Sequence, residues 1–265
     1  MKRALVLALC AAGLSVLVPS ASGAGPSPGV TFGSPGVVSH DGKLRYVALH
    51  AGGNTLVEAV TTRGGVVKHS RFLKGQLGIP LVAYDGSVGG LARNGNRLVV
   101  YSPGQATTRF VVLDARTLRA QTSFTLDGSF GFDALSPDGA TMYLIQIKGV
   151  DYDVRALHVN SGRLYPGSIV DRREPNEKMT GIPMTRVGSA DGSWAYTLYS
   201  GSSGGAFVHA LHTTAREAFC IDLPSRIPDE QLGKVRMRVG KNTLVLKLGR
   251  KTVATIDTRT FKVTG

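Results

Sequence analysis

Cysteine is nearly absent from this chain of 265 residues: of Cys10 and Cys220, only Cys220 lies beyond the first 24 positions. A single thiol forms no internal disulfide, so a stapled scaffold is excluded and stability must come from packing. Aromatic residues are sparse at 7%, with one tryptophan, Trp194. That leaves no series of platforms on which bases of a single strand would stack. No phosphate-binding glycine loop, zinc spacing or nucleic-acid module occurs, so no cofactor and no specific nucleic-acid partner are expected. After the N-terminal apolar run there is no second stretch of membrane-spanning length, and no transmembrane segment is expected in the mature chain. Long amphipathic helical patterns are also missing. Acidic residues are few: 18 Asp and Glu stand against 31 Lys and Arg, a formal net charge of +13. Such a balance concentrates anionic partners but says nothing of fold.

The start of the chain reads as an export signal. Lys2 and Arg3 precede the apolar run ALVLALCAAGLSVLV, and the small-residue stretch PSASGA follows. Cleavage after Ala24 leaves residues 25–265 as one domain, with a net charge of +11 once Lys2 and Arg3 are gone. A retained anchor is the alternative, but about 15 apolar residues are short for a bilayer span. Lipid attachment at Cys10 is disfavoured by the bulky Leu9 before it. The expected location is secreted or in the cell envelope.

What the chain has is a repeat. SHDGKLRYVAL, ARNGNRLVVYS, SPDGATMYLIQ, SADGSWAYTLY and VGKNTLVLKL each set a tight turn before a strand-like run. Anchored at Gly42, Gly95, Gly139, Gly192 and Gly240, the units are spaced by 53, 44, 53 and 48 residues, the size of a propeller blade. A second column of polar residues, Thr61, Asp114, His158, His212 and Asp257, follows each anchor at a nearly constant distance. Each unit divides into four short strands, as FGFDAL, ATMYLIQI, DVRALHV and RLYPGSIV do in the third copy. Asp-Gly and Asn-x-Gly suit tight β-connections because Gly and Asn accept positive φ. AFVHALHTTAREAF has helical propensity, but its place in the repeat makes it strand, turn, strand. The expectation is an all-β fold, a β-propeller of about five four-stranded blades, or an open array of blades if the ring does not close.

In such a meander the first-to-second and third-to-fourth turns share one end of the blade, and these are short and uniform. The other end collects the variable loops, including LKGQLGIP, IKGVDYD, YSGSSGG, DRREPNEKMTGIP and PSRIPDEQLGK. Function concentrates in variable loops on a rigid scaffold. The stretches FDALSPDGATMYLIQ, REPNEKMTGIPMTRV, DGSWAYTLYSG, FVHALHTTA and CIDLP resemble a family of exported bacterial β-propellers, within the broad group similar to quinoprotein-dehydrogenase-like propellers. The resemblance implies the propeller fold and export, and it brings no catalytic residues.

Candidate chemistry is thin. GSSGG would make Ser203 a nucleophile, but after it come only His209 and His212 with no acid between, and the hydrolase order fails. On a strand, His209 and His212 point to opposite faces and cannot share a metal. Cys220, in the apolar AFCIDL, reads as a buried inert thiol. Asp151 and Asp153 alternate in a loop, yet two carboxylates fall short of calcium's six to eight oxygens. Asp171, Glu174 and Glu177 would serve as an acid/base pair in a carbohydrate- or lactone-active enzyme, an analogy of fold alone; a salt-bridged inter-blade loop is the simpler reading. The leading expectation is a non-catalytic propeller binding a protein or an anionic cell-envelope polymer on its variable loops. Lys74, Asp151, Asp153, Arg172, Arg173, Glu174 and Lys178 are the candidate contacts. The hydrolase or lyase and a structural surface protein are the alternatives.

Overall fold

Turn chemistry written into the repeat governs the architecture. In SHDG, SPDG and SADG the aspartate accepts the serine hydroxyl two residues before it and the backbone N–H two residues after, while the serine oxygen accepts the first N–H of the next strand. Gly42, Gly95, Gly139 and Gly192 all sit at φ near +70° to +77°, where a side chain would be strained. The fifth anchor departs from this: Gly240 is not in the left-handed region, and its turn closes through Gly240 N–H to Thr243 O. The second column caps the other turn of each blade. Asp114 and Asp257 each accept two backbone N–H groups and a threonine hydroxyl. His212 does the same through Nδ1, His158 Nδ1 meets Ser161, and Thr61 Oγ1 accepts the Val66 N–H.

The computed structural model describes residues 25–149, 151–176, 179–201, 205–224 and 227–265. The signal reading, Cys10, Ser203, Glu177 and Lys178 fall outside these. A short strand, β1 (Val30–Thr31), comes first. Blade one is β2 (Val37–Val38), β3 (Leu44–Ala51), β4 (Asn54–Thr61) and β5 (Val67–Leu73), followed by β6 (Ile79–Pro80), which pairs with β1. Blade two is β7 (Arg97–Ser102), β8 (Thr107–Asp114) and β9 (Ala120–Asp127). Blade three is β10 (Phe130–Leu135), β11 (Thr141–Lys148), β12 (Asp151–His158) and β13 (Arg163–Leu164). Blade four is β14 (Ile182–Gly188), β15 (Trp194–Ser200), β16 (Ala206–His212) and β17 (Glu217–Asp222). After the single helical turn α1 (Asp229–Leu232), blade five is β18 (Val235–Val239), β19 (Thr243–Leu248), β20 (Lys251–Asp257) and β21 (Val263–Thr264). Every blade is an antiparallel meander in chain order, the sheet unit of a β-propeller. The stretch with helical propensity, 206–219, is strand and turn as the repeat requires.

Blade two has no continuous inner strand. Gly78 bridges Tyr101 and Leu91 bridges Leu98, so two fragments line β7 and the residues between them loop out. They form a small hairpin, with Leu81 bridging Val88 and Val82 N–H bonded to Ser87 O at 2.8 Å. Its tip reaches across to the inner strands of other blades: Tyr84 and Asp85 donate their N–H groups to Pro183 O and Met184 O on β14. Asp85 also lies 4.0 Å from Arg236 on β18. The hairpin therefore ties blade two to blades four and five at the loop end of the molecule.

Four apolar clusters hold successive blades together, joining one to two, two to three, three to four and four to five. Among the described residues none joins blade five to blade one. Consistent with that, the outer strand β5 is exposed along nearly its whole length, including Val67 and Phe72.

Candidate binding surface

The meander topology assigns each turn to one end of the molecule, which makes the distribution of charge readable. The turn end carries Lys43, Arg63, Arg93, Arg97, Arg116, Arg119, Arg163, Arg216, Lys241, Arg259 and Lys262. Its carboxylates are fewer: Asp41, Asp114, Asp138, Asp191, Asp257 and, at the start of β17, Glu217. The five aspartates are held below the usual carboxylate range; for Asp41, Asp138 and Asp191 the serine hydroxyl bond is the foremost cause, and Asp191 falls to about 2. In Asp257 the backbone N–H of Thr260 leads, and in Asp114 the bonds from Thr117 and Arg116 outweigh a desolvation penalty. They are committed to shaping turns. The loop end is different in character: Lys74, Arg109, Lys148, Lys234, Arg236, Arg250 and Lys251 stand with Asp85, Asp127, Asp151, Asp153, Asp222, Asp229 and Glu230, while residues 171–174 lie along the outer edge of blade four, Asp171 beside Ala218 and Cys220 and Arg172 beside Glu217. The basic excess therefore sits on the uniform turns.

The residues singled out by sequence at the loop end do not form one patch. Asp153 pairs with Lys148 at 2.5 Å. Arg172 pairs with Glu217 on blade four, and Arg173 bonds Asp171 and the Cys220 carbonyl while lying 5.9 Å over the Phe219 ring. Asp171 itself is buried at 2% side-chain exposure and accepts the Cys220 N–H at 2.5 Å. Because Asp171 also bridges Ala218 in parallel while Ile169 and Met179 bridge blade three, Ile169, Asp171 and Met179 clasp the two blades at their outer edge. Arg172 and Arg173 are thus spent on holding blades together. Lys74 is exposed, and its carbonyl accepts from Arg109. The axis at this end is covered by the hairpin and by residues 25–33, where Tyr101 OH bonds Gly29 O, Gly33 N–H bonds Ala48 O and Phe32 stacks on His50.

Other candidates resolve simply. His209 is buried on β16 while His212 packs on Trp194 at the turn, ring centroids 4.4 Å apart. Cys220 is half-buried rather than buried, because its strand lies at the blade's outer edge, and its Sγ rests 3.6 Å from Met179 Sδ. No group of three or more His, Cys, Asp or Glu among the described residues is arranged to hold a metal ion. No described helix is long and apolar enough to cross a membrane.

Between blades four and five the turn end opens into a groove of about 800 Å³. One wall is Val187 to Asp191 with Ser193, Trp194 and Tyr196; the other is Met237 to Asn242 with Thr258 and Arg259. Its origin lies in the fifth turn. At this end the seams from blade two to blade four are stitched: Asn94 N–H bonds Pro137 O, Arg97 bonds Gly139 O and Asn160, and Tyr143 OH bonds Thr213 O. Among the described residues no hydrogen bond links the inner turns of blades four and five. The contact between the two blades there is apolar, with Phe261 5.6 Å from Trp194 and 4.8 Å from Phe219. A second hollow of about 360 Å³, around His40, Leu91, Arg93 and Leu135, lies on the other side of the same fourth-blade turn. Sequence reasoning missed both hollows because it placed function on the variable loops; the departure of VGKN from the SxDG pattern was the available signal.

No protein-family model and no curated protein matches the sequence. Solved structures similar in shape include the hydrazine synthase of Kuenenia stuttgartiensis, at 15% identity, covering 91% of this chain and 80% of that one, TM-score 0.48. The β-propeller domain of Cps50 (Swd1) from Myceliophteria thermophila has 10% identity, covers 88% and 65%, and has a TM-score of 0.49. TolB from Acinetobacter baumannii has 12% identity, covers 83% and 50%, and has a TM-score of 0.43. At such identities and scores nothing about function transfers.

Proposed function

We propose that this is an exported, non-catalytic binding propeller whose turn end takes an anionic partner. The observation that carries the reading is the uneven charge: cations on the turns outnumber carboxylates that are themselves tied into turn hydrogen bonds, whereas the loop end is balanced and its axis is covered. Export rests on Lys2, Arg3, the apolar run and PSASGA. The non-catalytic reading is supported by the clasp role of Asp171 and by the scarcity of free carboxylates in the groove. Asp191 is the sole acidic residue lining it, and it is bonded to Ser189 and Ser193.

Exposed charges are screened beyond about 10 Å at 0.1 M salt, so binding driven by this surface must weaken as salt rises. Titration calorimetry with sodium polyphosphate at 50 and 300 mM salt should show a loss of affinity of about tenfold or more. Affinity indifferent to salt, or no binding at the lower concentration, would sink the proposal.

A further inference from the structure

The groove between blades four and five is more than a charged surface, because its base is apolar. Val187 faces Met237 and Val239 across it, Trp194 and Tyr196 close one side, and Lys241 and Arg259 stand exposed at the other. Neither cation has a carboxylate within 4.0 Å among the described residues. Arg238 belongs to the same wall, but strand alternation turns its side chain away from Met237. Two features therefore coincide in a seam whose inner turns share no hydrogen bond among the described residues: a half-buried apolar strip, and flanking cations, Lys241 with no carboxylate at ion-pair distance and Arg259 with only the turn-bound Asp257 nearby.

From this coincidence we infer that the groove takes an acidic peptide segment of a partner protein, with an aliphatic or aromatic side chain seated on Met237 and Val187 and carboxylates against Lys241 and Arg259. The inference rests on the anionic-partner reading and sharpens it. A polyphosphate or a sulfated glycan would satisfy the cations and leave the half-buried strip of Val187, Met237 and Val239 without an apolar partner on its open side. An acidic peptide with an apolar residue satisfies both, and methionine's flexible thioether adapts to differently shaped anchors.

Trp194 is the only tryptophan of the chain, so its emission reports on the groove directly. The probes are two capped peptides of equal charge, EDLFDE and EDGSDE, with sodium polyphosphate as the third, each titrated against the intact protein by Trp194 fluorescence and calorimetry. EDLFDE should bind at least tenfold more tightly than EDGSDE and shift the emission. Lys241→Glu and Arg259→Glu, both at exposed positions, should each weaken EDLFDE about threefold or more, with circular dichroism unchanged. Equal affinity of the two peptides, or calorimetric saturation by EDLFDE with the emission unmoved, overturns the inference. If polyphosphate binds and both peptides fail, the charged-surface reading stands and the peptide groove falls; if none of the three binds, both fall.

Discussion

His209 is expected to limit the stability of the fold at low pH. Its imidazole lies in β16 at 1% exposure, and neither ring nitrogen has a hydrogen-bond partner. Around it are the buried ion pair of Asp133 on β10 with Arg186 on β14, Asp171 from the clasp, and Tyr199 edge-on at 6.2 Å. Burial is the main cause that lowers His209 from the ordinary 6.5 to about 4; Asp133 opposes the shift and Arg186 adds to it. Since the folded state resists a proton that the unfolded state accepts, stability is full above pH 6.5, falls as pH drops toward 4, and is flat below that as far as this group is concerned. At about 1.4 kcal/mol per pH unit between the two values, the loss is about 3 kcal/mol. For a domain of this size that is about 6 to 12 °C in Tm. The assay is urea unfolding of wild type and His209→Leu at pH 7.5 and 4.5. Wild type should lose most of this stability between the two pH values, and His209→Leu should lose little of it. The variant should also be close to neutral at pH 7.5, because two unsatisfied polar atoms are removed with the ring. The depressed aspartates act in a lower window, below about 3.8, and His40, also lowered by burial, is common to both proteins. Parallel pH dependence in the two proteins would refute the reasoning.

Gly139→Ala should cost about 1 to 2 kcal/mol for the left-handed backbone, plus the crowding of a new Cβ against Ala92 and Arg97 at 3.0 Å. Gly42→Ala meets open space and should cost the backbone term alone; thermal melts order the two. Asp171→Ala takes from the Cys220 N–H its carboxylate acceptor and from the Arg173 guanidinium one of its two acceptors, and should destabilise by about 1 to 3 kcal/mol, read as a lower urea midpoint and faster proteolysis between blades three and four. Mass spectrometry of the exported protein should find a mature start near Gly25.

The blades were legible because their turn chemistry is local. Ser39, Asp41 and Gly42 form one turn by contacts within a few residues, and the same letters recur at Ser136 and Ser189. His158 and His212 could be placed at turns because they share a column with Asp114 and Asp257. The looped-out hairpin was not legible, since LVAYDGSVGG looks like another strand, turn and strand. Its trace was the 53-residue step from Gly42 to Gly95 against 44 for the next. The second 53-residue step holds the clasp made by Ile169, Asp171 and Met179. Long-range pairing decided both: that Tyr84 reaches Pro183, or that Asp171 meets the Cys220 N–H, depends on how blades sit around the axis. Placing charge by turn and loop was possible from the repeat alone, and it would have moved the basic surface away from Arg172 and Arg173.

If the turn end binds and the loop end does not, paired charge reversals separate the two ends most directly. One variant carries Arg93→Glu, Lys241→Glu and Arg259→Glu; the other carries Lys74→Glu, Arg250→Glu and Lys251→Glu, the same change in net charge at the opposite end. Affinity for sodium polyphosphate at 50 mM salt should fall by at least tenfold in the first and by less than threefold in the second. Equal losses in the two variants, or the larger loss in the second, would contradict the account.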